Sequence, residues 1–446
     1  MYQLNNILRE KMDSHEILEE NKKYIYSGLK AIGVENGKGV EMVAKNILVP
    51  ISKIVGKMEN RGIKVDIDRL NKLREELQEK ISLVEKGIYY DIGHEVNLNS
   101  PKQLAEVIYN ELHLPTILSG KNKYSTREEV LDALSAYHPA ISKILEYREM
   151  NKVLGTYVLP LLEIATSNNG EIHSDFKQTG SSSGRFASIN PNLQNIPIGG
   201  VWGDSIRDCF VARDGYMFVG ADYSQMEFRI MADISSDSAL IHDFVNNVDI
   251  HKNTAARVMN VPIDQVTKEQ RSFGKTINFG ILFGQTPFGL SKMLGISQLD
   301  AKKYIDEYFK EYSGVARYIE NAKKLAYEKG WVQSMFGRTR YISGLRSRVW
   351  AIKEASGREA VNMPIQGGEV DVMHIAMIKA DNMIKDKYNE VAHLVLQIHD
   401  EVIFEVKIDQ VDKFMNDISN TLKNVVELSV PLDVNVSSGK TLKELK

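Results

Sequence analysis

The residues of this 446-residue chain best suited to chemistry are two aspartates and one cationic stretch. Asp222 closes the apolar, strand-like run MFVGADYS, where a carboxylate at a strand end can face a cleft and hold a hard cation through oxygen. Asp400 lies in LVLQIHDEVIFEV, a strand, a tight polar turn and a second strand, which puts His399, Asp400 and Glu401 at a hairpin tip. Between them, RSFGKTINFGILFG spaces Arg271, Lys275, Phe279 and Phe283 by four. On an α-helix each step advances about 40°, so all four share one face. Two cations followed by two rings suit a triphosphate at one end and a base with its sugar at the other. Carboxylates brought together from segments as distant as those of Asp222 and Asp400 would repel, and a divalent cation pair, typically Mg²⁺ about 3.5–4 Å apart, relieves such a site.

Taken singly, each signal has an ordinary reading. Asp222 reads as a strand-terminating acid, Asp400 as an acid in a hairpin turn, and the middle stretch as an amphipathic helix with a basic N-terminal half. Glu227 reads as a surface glutamate at a helix start.

The elements that must position these residues are legible in outline. Residues 1–39 read as a polar helical extension ending in a glycine-containing linker. Residues 40–167 read as long amphipathic helices, with Leu70, Leu73, Leu77, Ile81, Leu83 and Val84 at roughly helical spacing. In SGKNKYSTREEV, Ser119 to Lys123 form a basic loop, and Ser125 or Thr126 with Glu128 or Glu129 offers a capping box. A loop-rich, hydrogen-bonding stretch, QTGSSSGRFASINPNLQNIPIGG, precedes the Asp222 strand. The pattern is then helical to about Tyr327, with breaks at Pro262, Pro287 and Gly295. A helix near Arg358 to Ile384, the His399 hairpin, a helix near Asp412 to Val425 and a last strand VPLDVNV complete the chain. Helices inserted between strands that must meet imply one sheet interrupted by an excursion.

Composition narrows the class further. The length exceeds what one core usually organises, and 43% hydrophobic with 26% charged residues describes an ordinary globular protein. A formal net charge of -3 neither supports nor excludes a nucleic-acid partner, because local positive stripes suffice. Cys209 is the sole cysteine, so no intrachain disulfide or thiolate zinc cluster can form. The N-terminus lacks a signal core, and no stretch approaches the roughly 18 apolar residues of a membrane span. A cytoplasmic protein, bacterial or viral in a host cytoplasm, and a monomer with no membrane contact are expected.

Together, ADYSQMEFR (Ala221 to Arg229), RSFGKTINFGILFG (Arg271 to Gly284) and LVLQIHDEVIFEV (Leu394 to Val406) resemble motifs A, B and C of the family A DNA polymerases, the DNA polymerase I-like enzymes. The resemblance runs from about Val40 to the C-terminus. It implies an α+β right-hand fold with an antiparallel-sheet palm and helical fingers and thumb. The implied domains are a thumb over 40–167, a palm over 168–227 and 351–446, and fingers over 228–350. The implied activity is DNA-directed addition of deoxynucleotides to a primer 3'-hydroxyl by two-metal phosphoryl transfer with release of pyrophosphate, in DNA replication or repair.

Site residues follow by resemblance. Asp222, Asp400 and the backbone carbonyl of Tyr223 are expected to hold two Mg²⁺ ions, with Mn²⁺ able to substitute, and Glu401 supports them. Arg271, Lys275 and His251, the last from DIHKNTA, are expected on the triphosphate, with Lys275 as proton donor to pyrophosphate. Gln225 is expected at the nucleotide, while Glu227 lies under the sugar and obstructs a ribose 2'-hydroxyl. Phe279 stands where the family carries phenylalanine or tyrosine, which implies poor use of dideoxynucleotides. SGRFASINPNLQNIP places Arg185 at the minor groove near the primer end, with Asn192, Gln194 and Asn195 holding the loop. REAVNMPIQG places Arg358, Asn362 and Gln366 on template or primer, joined by Gln397 and His399. GRTRYISGLRSR offers Arg338, Arg340, Arg346 and Arg348 to template phosphates or to solvent.

Departures from the pattern are specific. Phe283 stands where the family usually has tyrosine, Gly199 where many relatives have arginine, and the C-terminus lacks a tryptophan-containing ending. No proofreading or 5' nuclease domain is expected in this chain, and accessory replication proteins cannot be named from it. Competing expectations are a single-subunit RNA polymerase-like enzyme, which Glu227 disfavours, and a catalytically idle primer-template binding protein, which the retained Asp222 and Asp400 disfavour.

Overall fold

In the computed structural model, which describes residues 39–445, helices dominate and the few long strands gather in one sheet. The N-terminal extension lies outside the described residues, and Gly39 already opens a helix over Gly39–Val43. Contacts divide the chain into two units.

The smaller unit comprises Arg61–Asp175, Asn190–Phe218 and residues 438–445. Its longest element, α1 (Ile67–Ile92), starts at Asp66, whose side chain accepts from the Arg69 N–H, and ends at Gly93 in the left-handed region. Leu70, Leu73 and Leu77 are buried as their spacing predicts, whereas Leu83 is 72% exposed, since it falls beside Val84 and off the buried stripe. The lower half of α1 packs on α2 (Pro139–Val153) around Ile88, Leu104, Ile108, Leu131, Ile141 and Ile144. The expected capping box before Glu128–Leu134 is absent: Arg127 is the N-cap and makes no side-chain cap bond. Ser125 Oγ instead accepts from the Arg127 N–H at 3.3 Å, closing a local turn. Asn192 holds its loop as expected, accepting from the Gln194 N–H at 3.0 Å.

The larger unit contains residues 39–60 with Phe176–Ile189 and Val219–Ser437. Most of a four-stranded sheet falls in it: β1 (Tyr216–Tyr223), then, after a helical excursion, β2 (Ala392–Ile398), β3 (Glu401–Lys407) and β4 (Val434–Gly439), in the order β4-β1-β3-β2. Strands β2 and β3 are antiparallel, pairing Ala392 with Val406 and Ile398 with Glu401. The His399–Asp400 turn joins them, with His399 at φ 51°. Strand β4 begins at Val434 rather than Val430, consistent with Pro431 lacking a ladder donor.

Between β1 and β2 run α3 (Met226–Ser235), α4 (Ile250–Val258), α5 (Lys268–Leu282) and the 38-residue α6 (Trp350–Lys387). Pro287 opens a helix at its first turn and Gly295 closes it in the left-handed region. Asp237 anchors two helices at once, accepting from the N–H groups of Leu240 at 2.9 Å and Gly314 at 2.6 Å. Helices α4 and α5 pack so closely at Gly274 that a Cβ there would lie 2.1 Å from the His251 carbonyl oxygen. Only glycine permits that approach. Helix α6 is longer at both ends than the sequence pattern indicates and continues through Pro364, with most of its middle buried on every side. α7 (Val411–Lys423) packs its buried Phe414 against Phe404 of β3.

Candidate active site

The segments that carry the two aspartates meet because β1 and β3 are neighbours in the sheet. The Tyr223 N–H donates to the Asp400 carbonyl oxygen at 3.1 Å, which ties the end of β1 to the hairpin turn through backbone alone. Tyr223 turns its side chain inward, where its hydroxyl donates to the Leu422 carbonyl at 2.8 Å and burial pushes the phenol well up. The chain then reverses at Gln225, which adopts φ 55° before α3. Arg229 holds that reversal by donating from Nε to the Ser224 carbonyl at 2.9 Å.

A cavity of about 300 Å³ opens beside this junction, lined by Gln225, Met226, Glu227, Phe228, His251, Arg271, Lys275, Phe279 and Asp400. It therefore gathers acid, base and ring from the three motifs. A larger cavity, about 540 Å³, lies between Val40–Glu59 and Phe176–Gly184, and Glu59 is its only acid.

Helix α5 presents its cations as the spacing predicts. Its N-terminus is fixed by a reciprocal capping box between Thr267 and Gln270. Arg271 donates from Nε to Asp249 at 2.6 Å, and Asp249 also caps α4 by accepting from the N–H groups of His251 and Lys252, each at 3.0 Å. Burial works against the Asp249 charge, but these donors offset it and hold its carboxyl below the ordinary value. Lys275 sits 5.9 Å from the Phe279 ring centroid, and Phe279 packs edge-on to Phe228 at 4.9 Å. Phe283 caps the helix end and stacks on Phe279 at 6.1 Å.

His251 is buried, and burial pushes it down to about 4, with Arg271 and Lys275 adding to the effect against Asp249. It is neutral near pH 7. The Asn278 amide bridges to its Nδ1 at 2.9 Å while accepting from Thr254 at 2.9 Å through Oδ1. That arrangement makes Nδ1 an acceptor and leaves the proton on Nε2.

On the acidic side, one Arg185 nitrogen lies 3.1 Å from Glu227 Oε1 and 2.5 Å from Glu369 Oε2. Burial opposes the Arg185 charge, but Glu369, Glu227 and Asp400 together hold it above the ordinary value. Burial raises the Glu227 carboxyl in spite of Arg185, and raises that of Glu369 well above the usual range, helped by its hydrogen bond with Asp400.

Asp400 Oδ1 is buried with no hydrogen-bond partner, and the Asp222 side chain is exposed nearby along the chain fold. A bare carboxylate oxygen in an acid-rich setting fits a hard cation. Among the described residues no group of three or more His, Cys, Asp or Glu side chains forms a metal cage. A divalent, oxygen-seeking cation fits such a sparse donor set when water and substrate oxygens complete its shell.

Other expected residues lie outside this cavity's lining. Arg358, Asn362 and Gln366 are partly exposed along α6 at four-residue spacing, while Gln397 is buried and bonds the His399 carbonyl. Arg338 is engaged within the protein: its half-buried side chain donates twice to the buried Asp371, at 2.9 and 2.7 Å. Arg340 pairs with Glu359 at 3.2 Å, and Arg346 donates to the Tyr327 carbonyl at 3.0 Å.

Sequence reasoning missed Asp249, Asn278 and Glu369. Asp249 had a signal, an aspartate directly ahead of a helical pattern. Glu369 had another, a lone glutamate in the apolar middle of α6, where a buried acid requires partners.

No helix among the described residues is long and apolar enough to cross a membrane. A family model described as DNA polymerase family A matches residues 67–444. The chain is 40% identical over 406 residues to DNA polymerase I of Caldicellulosiruptor bescii, covering 91% of this chain and 48% of that one. It is 38% identical over 414 residues to DNA polymerase I of Bacillus subtilis, covering 93% and 47%. The chain thus spans about half the length of the curated relatives it matches. Among solved structures, the POL domain of Pol1 from M. smegmatis, in complex with DNA primer-template and dNTP, superposes with a TM-score of 0.86 at 36% identity, covering 91% of this chain and 71% of that one. The fold is accordingly the α+β right-hand polymerase fold, and the family implies a divalent metal cation. With a family model over most of its length and relatives at about 40% identity across nine-tenths of it, this chain belongs to DNA polymerase family A.

Proposed function

We propose that the chain is a DNA-directed DNA polymerase that adds deoxynucleotides to the 3'-hydroxyl of a primer on a DNA template. The observation that supports this reading is the Tyr223–Asp400 backbone bond, which joins the segments of two motif acids next to a cavity lined by Asp400, Arg271, Lys275 and His251.

In this reading Asp222, Asp400 and the Tyr223 carbonyl hold two Mg²⁺ ions, with Glu401 in support; Mn²⁺ can replace them. When bound, the ions activate the primer hydroxyl and neutralise charge on the triphosphate. Arg271, Lys275 and the Nε2–H of His251 grip the triphosphate oxygens, His251 as a neutral donor. Lys275 supplies a proton to the departing pyrophosphate. Phe279 supports the base and sugar, with Phe283 stacked behind it, and Gln225 borders the same space. Glu227, held by Arg185, fills the volume a 2'-hydroxyl would need. Arg185, Arg358, Asn362, Gln366, Gln397 and His399 contact primer-template DNA. The thumb is assigned to 40–167, the palm to 168–227 and 351–446, and the fingers to 228–350, in a monomeric cytoplasmic protein.

Primer extension on a DNA template with Mg²⁺, comparing dNTPs with rNTPs and including Asp400→Ala, tests the reading. Extension by dNTPs alone, lost in the variant, is expected. Preference for rNTPs would indicate an RNA polymerase-like enzyme, and binding without extension an idle junction-binding protein.

A further inference from the structure

Glu369 is not part of the cavity lining, yet its carboxylate makes the shorter of the two Arg185 contacts. Its side chain is 3% exposed, against 37% for that of Arg185. Glu369 projects from the buried middle of α6, so the backbone that carries it is rigidly placed, whereas Arg185 follows Gly184 in a loop. The three groups form one cluster in which Arg185 bridges Glu369 and Glu227 and the two carboxyls also face each other, and of the three only Glu227 borders the cavity. A guanidinium shared between two carboxylates is fixed in direction by both. Remove the deeper one and the arginine is left with Glu227 and the neighbouring Asp400. It would then recentre on those two and draw Glu227 from its place.

Resting on the polymerase reading above, we propose that Glu369 is a positioning residue for sugar selection: by anchoring Arg185 on α6, it holds Glu227 where a ribose 2'-hydroxyl must collide with it. Glu369 touches neither nucleotide nor primer in this scheme. Its contact with Arg185 carries the selection, whereas its direct hydrogen bond with Asp400 bears on dNTP and rNTP alike and cancels in their ratio. Selection between ribo- and deoxynucleotides is therefore set partly by a residue behind the cavity wall.

The test is the ratio of kcat/KM for dNTP to that for the matching rNTP, measured on one primer-template. Glu369→Met keeps the side-chain volume but removes the acceptor, and loss of a hydrogen bond to a charged group predicts a fall in that ratio of about tenfold or more. Glu369→Gln retains an acceptor for Arg185 and keeps the ratio within about twofold of the parent, an energy difference below that of one such bond. In an Arg185→Ala background, Glu369→Met lowers the ratio no further, because the two act in series. An unchanged ratio in Glu369→Met, or an equal further fall in the Arg185→Ala background, overturns the proposal. Should Glu369→Met not fold, the same cycle with Glu369→Ala in its place decides it: additive effects of Glu369→Ala and Arg185→Ala on the ratio exclude coupling. A parent protein that extends no primer would refute the polymerase reading itself, a result distinct from a selective parent with an indifferent Glu369 variant.

Discussion

Arg271 Nε and Asp249 Oδ2 lie 2.6 Å apart, so the arginine expected on the triphosphate is paired with an acid from the neighbouring helix. The pair is partly exposed, and its salt-bridge energy is correspondingly modest. A bound triphosphate must share or replace this carboxylate. Asp249→Asn keeps the helix cap and removes the competing charge, so the dNTP dissociation constant should fall by a few-fold, roughly 1 kcal/mol. Asp249→Ala should in addition lose about 1 kcal/mol of stability with the cap. Nucleotide titration and urea denaturation of both variants check this; weaker binding by Asp249→Asn would mean that the pair pre-orients Arg271.

The depressed His251 predicts acid sensitivity. Its folded value of about 4 lies below the ordinary 6.5, so between those values the unfolded chain takes up a proton that the folded protein refuses. Stability is fully present above about pH 6.5 and is lost as pH falls toward about 4, by up to roughly 3 kcal/mol. His251→Gln should flatten that slope. Urea midpoints at pH 7.5 and pH 5 provide the comparison, and equal slopes would refute the attribution.

Gly274→Ala should destabilise the α4–α5 pair by about 1–3 kcal/mol, because its Cβ meets the His251 backbone rather than a movable side chain. Since that backbone carries one of the proposed phosphate contacts and α5 carries two, dNTP affinity should fall as well. A variant with parental stability would show that the two helices separate without cost.

Phe279→Tyr should improve dideoxynucleotide incorporation by about tenfold or more, since the added hydroxyl can offer the hydrogen bond that a missing 3'-hydroxyl cannot. Chain-termination ratios for parent and variant measure it. Equal incorporation by both would remove Phe279 from the sugar side of the cavity.

Much of this site was legible because its signals are local. The four-residue rhythm of Arg271, Lys275 and Phe279 belongs to one helix, and the acid at a hairpin tip is written in one run from Leu394 to Val406. Strands separated by a helical excursion were also readable, since β1 and β3 must pair for Asp222 and Asp400 to meet. What escaped was pairing between distant side chains. Nothing near Arg338 announces that Asp371 will claim it, and nothing near Arg185 announces Glu369. Local capping misled at Ser125, because its hydroxyl served a turn instead of the helix that follows.

The bond from Tyr223 to Asp400 uses main-chain atoms only, and its consequence is a separation between scaffold and reactivity. Either aspartate can lose its charge without loosening the join that brings the pair together. Inactivated versions should therefore keep the shape of the working molecule and serve as traps, able to hold primer-template and incoming nucleotide in register while the reaction waits.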